Sequence, residues 1–153
     1  MIDIKFNDNI KHNYSSFKEI LKLDNYDDII YINCYNSLYN LPSLPNSLQI
    51  LYCAYNNLSN LPKLPNSLIH LNCSANNLSS LPELPNSLKE LYCDYNSLSS
   101  LPEFPNSLVT ISYYNNPIYT YINKFFDGEH KDYFEYQNKI NKKFSNKIAT
   151  WFL

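Results

Sequence analysis

The sequence predicts a β-rich α/β solenoid in which stacked coils each contribute one short strand to a shared sheet, with helical caps at both ends. Three observations carry this. A 20-residue pattern recurs over residues 48–67, 68–87 and 88–107. Each copy opens with apolar residues two positions apart, the spacing that puts side chains on one face of a strand. Each copy closes on a pair of prolines that a helix could not accommodate.

The unit reads L-x-x-L-x-C-x-x-N-x-L-x-x-L-P-x-(L/F)-P-N-S. Leu51 and Cys53 face one way, and Ile50, Tyr52 and Ala54 the other. Asn56 ends the strand, because its amide both donates and accepts and can serve backbone groups released where the chain turns. "LPxLP" forms an extended return leg, and a second turn follows at Asn-Ser. A lone coil cannot offset the backbone entropy of ordering itself, so coils must stack to bury their apolar faces.

The frame continues beyond the three regular units. Residues 108–121 keep Leu108, Ile111, Tyr113, Asn116, Ile118 and Tyr121. Residues 28–47 keep Asn36, Leu38, Leu41, Pro42, Leu44 and Pro45, but place Tyr31 and Asn33 where Leu and Cys are expected. The resulting division is an N-terminal cap at 1–27, about five repeats over 28–121, and a C-terminal cap at 117–153.

In the N-terminal cap, "IDIKFN" reads as a strand and "SSFKEILKL" as a helix capped by Ser15 or Ser16, with Phe17, Ile20 and Leu21 on its apolar side. That helix is expected to cover the open edge of the first coil. After Asn116, Pro117 suits the first position of a helix through "PIYTYINKFF". A turn at Asp127-Gly128 should follow, then a longer helix with Ile140, Phe144, Ile148 and Trp151 or Phe152 on one stripe and Lys139, Lys142, Lys143 and Lys147 opposite.

The repeat resembles the leucine-rich repeat signature. Its short 20-residue "LPxLP" form is similar to repeats of bacterial type III-secreted effectors, and Asn- and Tyr-rich repeats of this kind occur in large DNA viruses of amoebae. The resemblance covers about residues 28–121. It implies a right-handed, curved solenoid with a parallel sheet on the concave face, and protein binding as the usual role. Some such effectors carry a separate ubiquitin-ligase domain with a catalytic cysteine. No cysteine follows Cys93 here, so that activity is not transferred.

Composition narrows the partner. A net charge of -2 among 153 residues gives no electrostatic footprint for nucleic acid or an anionic membrane. All 12 basic residues are lysines, so the bidentate guanidinium fork is missing. No signal-peptide pattern opens the chain, and no apolar run approaches the roughly 20 residues of a membrane span. The expectation is a cytoplasmic protein with reduced thiols, a monomer or weak homo-oligomer.

Chemistry is sparse. Cys53, Cys73 and Cys93 share one slot in consecutive coils, about 4.8 Å apart, which is too wide for a relaxed disulfide and too linear for a tetrahedral zinc site. They read as core packing, with no metal or cofactor. Cys34, displaced by one position, is expected on the concave side, which would make it the reactive thiol of the set. One glycine excludes a phosphate-binding glycine loop or dinucleotide fingerprint. His70 is expected to form a cross-strand ion pair with Glu90, and Glu83 and Glu103 to face solvent. No constellation supports catalysis.

What varies between copies is the sheet face opposite the leucines. Its predicted rows are Ile30/Ile50/His70/Glu90/Thr110, Ile32/Tyr52/Asn72/Tyr92/Ser112 and Cys34/Ala54/Ser74/Asp94/Tyr114, with Tyr35, Tyr55 and Tyr95 just beyond. The candidate partner-binding set is Ile50, Tyr52, His70, Asn72, Glu90, Tyr92, Asp94, Tyr114, Tyr55 and Tyr95. Tyrosine supplies large amphipathic contact area at low entropic cost. The expected function is a non-enzymatic protein–protein interaction module. The alternative is an assembly protein that self-associates through its ends or C-terminal helix.

Overall fold

The computed structural model describes residues 1–35 and 37–125. The chain divides into two compact units, Met1–Pro117 and Ile118–Leu153. The turn at Asp127-Gly128 and the long helix expected around 140–152 lie outside the described residues.

The first unit is built on a single seven-stranded sheet. Strands β1 (Ile2–Lys5) and β2 (Lys11–Tyr14) form an antiparallel hairpin, and β3 (Tyr31–Cys34), β4 (Ile50–Tyr52), β5 (His70–Asn72), β6 (Glu90–Tyr92) and β7 (Thr110–Ser112) run parallel. The sheet order is β2-β1-β3-β4-β5-β6-β7. Each crossover between parallel strands is one non-helical coil, because the prolines at 42 and 45, 62 and 65, 82 and 85, and 102 and 105 hold the return legs extended.

Parallel rows of side chains fill the interior. Ile32, Leu51, Leu71 and Leu91 stand in register and are fully buried, as are Cys34, Cys53, Cys73 and Cys93 and the row Leu58, Leu78 and Leu98. Tyr113 occupies the cysteine slot of the last coil and is buried too.

The asparagines carry the turn as expected. The Asn76 side-chain amide donates to the carbonyls of Cys73 and Ser74 in its own coil and of Cys53 in the coil before, at 3.0–3.2 Å. Its Oδ1 accepts the Leu58 N–H at 3.0 Å. Asn56, Asn96 and Asn116 repeat this set, so each buried amide closes its own turn and the neighbour's at once. A second ladder runs along the other turn, where the hydroxyls of Ser67, Ser87 and Ser107 donate to the carbonyls of Leu48, Leu68 and Leu88 at 2.6–2.7 Å.

The first coil departs from the expected register. Ile32 pairs with Leu51 and Asn33 with Tyr52, so Ile32 and Cys34 occupy the leucine and cysteine slots and Tyr31 and Asn33 face the other way. Asn56 nevertheless contacts the Cys34 carbonyl and the Leu38 N–H just as Asn76 contacts Cys53 and Leu58. Four residues separate Cys53 from Leu58 and three separate Cys34 from Leu38. The turn has lost one residue, and the strand keeps its apolar face inward by sliding one position. Asn36, expected to begin the asparagine row, lies outside the described residues.

The N-terminal edge is covered differently from the expectation. Helix α1 (Phe17–Ile20) is a single turn, and β1 lies against β3, so a strand occupies the position expected for the helix. Ile2 and Ile4 are buried and continue the interior row. Ser16 occupies the cap position without a side-chain bond, while the Ser15 hydroxyl and backbone N–H donate to the Glu19 carboxylate at 2.5 and 3.1 Å. A 3-10 turn at Tyr26–Asp28 clasps the first return leg. Tyr26 Oη donates to the Ser43 carbonyl at 2.5 Å and Asp27 Oδ1 accepts the Asn46 N–H at 3.0 Å. Helix α2 (Pro117–Phe125) begins at Pro117 as expected.

The residue before each ladder asparagine is left-handed: Tyr55, Ala75, Tyr95 and Asn115 have φ of 53–56°. None is glycine. Replacing Ala75 with glycine, Ala75→Gly, should therefore stabilise the protein by about 1 kcal/mol in urea denaturation, since the methyl is lost from a conformation it disfavours. Asn76→Ala should act oppositely and cost about 3 kcal/mol, because four backbone groups in two coils lose a buried partner. An Asn76→Ala melt coincident with wild type would show the ladder to be dispensable.

Candidate functional site

Alternation along each strand sends half the side chains away from the spine onto one open face. From the hairpin onward that face carries Asp3 and Lys5, Tyr31 and Asn33, Ile50 and Tyr52, His70 and Asn72, Glu90 and Tyr92, and Thr110 and Ser112. The strand residues of β3 to β6 on this face are half-buried, lying side by side across neighbouring strands.

The aromatic contacts are specific. The Tyr31 and Tyr52 rings meet edge to face, 5.9 Å between centroids at 85°. Lys5 Nζ stands 5.1 Å from the Tyr31 centroid, within the range of a cation–π contact. Burial, with a smaller contribution from Tyr52, pushes the Tyr31 phenol above its ordinary value, so it remains a neutral donor. Beyond the strand ends, Tyr95 and Tyr114 form a second edge-to-face pair at 5.8 Å. Tyr55, Tyr95 and Tyr114 are exposed, Tyr55 at 75%.

Charges sit at the two ends of the face. Lys11 Nζ lies 2.6 Å from Asp3 Oδ2 on the hairpin. Across β5 and β6, His70 Nδ1 lies 3.1 Å from Glu90 Oε2, the cross-strand pair expected from the sequence. Asp94 Oδ1 accepts the Ser112 hydroxyl at 2.6 Å and the Tyr114 N–H at 2.7 Å. Asn72 Oδ1 accepts the Ser74 N–H at 3.1 Å. Among the described residues, Asn33 Oδ1 is the buried side-chain oxygen left without a donor.

The structure thus brings Ile50, Tyr52, His70, Asn72, Glu90 and Tyr92 onto one surface, with Asp94, Tyr114, Tyr55 and Tyr95 along its rim. Ala54, expected on the same face, is 4% exposed and contributes little to it. The rows expected for the first coil are corrected by one position, from Ile30 and Ile32 to Tyr31 and Asn33. Sequence reasoning missed Tyr31, Asn33, Asp3, Lys5 and Lys11. The signal for the first two is the spacing from Cys34 to Cys53, 19 residues against 20 between later cysteines.

Cys34 is not on this face. It is fully buried behind β3, beside Cys53, because the slide that turns Tyr31 outward turns Cys34 inward. Burial raises all four thiols, Cys34 and Cys93 to about 12 and Cys53 and Cys73 well above the ordinary value. They are free, protonated thiols, and Cys34 and Cys93 donate weakly to the carbonyls of Tyr52 and Ser112 at 3.6 and 3.3 Å. A protonated, enclosed thiol is a poor nucleophile. Among the described residues no group of three or more His, Cys, Asp or Glu is placed to hold a metal ion. No helix there is long and apolar enough to cross a membrane. Clefts of about 320, 440 and 360 Å³ lie between successive proline legs, and their recurrence coil by coil makes them products of the stacking.

Comparison with known proteins agrees with this architecture. The LRR domain of a Shigella effector superposes on 65% of this chain with 37% identity and a TM-score of 0.58. YopM from Yersinia enterocolitica aligns with 57% of the chain at 28% identity and a TM-score of 0.43. The chain spans 44% of the first of these and 29% of the second, less than half of either. No family model matches, and no curated protein does. The chain has the leucine-rich repeat fold and resembles the repeat domains of bacterial effectors.

The thiol burial sets an alkaline limit. A folded thiol held protonated stabilises nothing extra below the ordinary thiol value of 9.0, where the unfolded thiol is protonated too. Above it the unfolded state gains by ionising, so stability falls as pH rises from 9.0 toward 12. Between pH 8 and 10, wild type should lose roughly 1 kcal/mol more in urea denaturation than Cys73→Ala, the share of one thiol. Equal losses would place the Cys73 thiol in contact with solvent.

Proposed function

We propose that this protein is a non-enzymatic interaction module that holds a protein partner against its open sheet face. The carrying observation is the contrast across the sheet. Behind the strands, leucine and cysteine repeat from coil to coil in a dry interior. In front, the same registers hold Ile50, His70 and Glu90 in one row and Tyr52, Asn72 and Tyr92 in the next. The fold constrains the first set tightly and leaves the second free to suit a partner.

The chemistry of the face supports protein recognition. Tyr31, Tyr52 and Tyr92 offer broad apolar surface with hydroxyls that bond to peptide groups, at little entropic cost. Tyr55 and Tyr95 extend the rim. The resemblance to an effector repeat domain fits such a role, although the relative is more than twice the matched length. At the centre of the face the binding surface uses side chains alone, since the backbone groups of β4, β5 and β6 are taken by neighbours on both sides in the ladder.

The test replaces Tyr52 and Tyr92 with glutamate in one chain. Tyr52→Glu/Tyr92→Glu should melt within a few degrees of wild type, because neither side chain enters the spine. Affinity purification from cell lysate should then recover a partner with wild type and lose it by about 30-fold or more with the variant, the scale of two interface anchors. Equal recovery by both proteins would remove the face from function.

A further inference from the structure

We propose that the open face, read as the binding surface above, accepts an extended partner segment of about seven residues with an acidic side chain at one end and a basic one at the other. The polarity of the face carries this. At the hairpin end, Lys5 and Lys11 provide two ammonium groups against the single Asp3 carboxylate, which Lys11 engages at 2.6 Å. Lys5 Nζ stands over the Tyr31 ring, and among the described residues it has no carboxylate partner. At the far end the balance is reversed. Glu90 and Asp94 provide two carboxylates against one imidazole, His70. Asp94 is bonded there to neutral donors, the Ser112 hydroxyl and the Tyr114 N–H, with no cation paired against it among the described residues.

Between these ends the face is uncharged, with Tyr31, Ile50 and Tyr52 as its main apolar surface and Tyr92 beside Glu90 on β6. Four strand intervals separate β1 from β6 in the order β1-β3-β4-β5-β6. At about 4.8 Å per interval the charged ends stand roughly 19 Å apart. An extended peptide covers that distance in about six residue steps. Opposite charges at that separation dock on both ends at once, while the residues between lie on tyrosine. A segment with like charges at its two ends is repelled at one of them.

The experiment selects random 12-residue linear peptides displayed on phage against immobilised full-length protein at 50 mM salt. Wild type should enrich peptides carrying an acid and a base five to seven positions apart by at least five-fold over their frequency in the library, with the enrichment fading at 500 mM salt. Lys5→Glu should shift the selected set to bases at both ends, and Glu90→Lys, which leaves the Asp94 carboxylate against the new ammonium, should drop the basic requirement and keep the acidic one. Lys5→Gln, which leaves no new charge on the hairpin, should drop the acidic requirement and keep the basic one, and melting curves confirm that each variant is folded. A wild-type selection without that charge pair, or the same pattern from wild type and Lys5→Gln, overturns the proposal. So does a stable dimer in light scattering that blocks selection, since the face would then belong to a second copy. If selection fails while Tyr52→Glu/Tyr92→Glu still abolishes partner capture, the face stands as a binding surface and only the linear, charge-paired ligand falls.

Discussion

The buried amide at the end of each strand is the interaction on which the other features depend. A chain that turns sharply inside a packed interior leaves carbonyls and N–H groups that water cannot reach. Here one asparagine per coil answers them, and it does so across two coils: Asn96 serves Cys93 and Asp94 in its own turn and Cys73 and Leu78 in the previous one. The turn of one coil is therefore incomplete until the next has formed. Cooperativity arises from this polar linkage as much as from shared leucines, and it explains why the coils need caps at their ends.

The same turn accounts for the backbone strain. Reaching the asparagine requires a left-handed residue just before it, and tyrosine or alanine takes that place without glycine's freedom. The strain is tolerated because four hydrogen bonds over-determine the geometry on its C-terminal side. In two of these turns the strained residue is an exposed tyrosine, Tyr55 or Tyr95, so the demand of the turn also sets aromatic side chains on the rim of the open face. The interior makes the opposite use of its residues. Burial keeps the cysteines protonated and inert, which leaves the front of the sheet as the surface with chemistry to offer.

Much of this was legible in the residues. The three regular units prescribe strand, turn and return leg because proline, asparagine and alternating apolar positions each act over a few residues. The cross-strand pair His70–Glu90 follows from a 20-residue shift, as does the placing of Tyr52 and Tyr92 on one face. The first coil was not legible in the same way. Aligning Asn36 with Asn56 keeps the return leg in phase but throws the strand out by one, and only pairing with β4 shows that the strand slides to keep Ile32 and Cys34 inside. The cost of turning an apolar strand face to water outweighs the loss of one turn residue.

Sequence alone determined the repeating coil, its extended return leg, the buried thiol row from Cys53 to Cys93 and the identity of the variable face, since all of these arise from local preferences multiplied by a constant period. Tertiary structure alone decided what happens where the period breaks. It placed a β-hairpin, and not the short helix, on the first coil's edge, because β1 can satisfy the exposed ladder of β3 strand to strand. That choice brought Lys5 over Tyr31 and gave the open face its positive end, through contacts between residues more than 20 positions apart that no local pattern encodes.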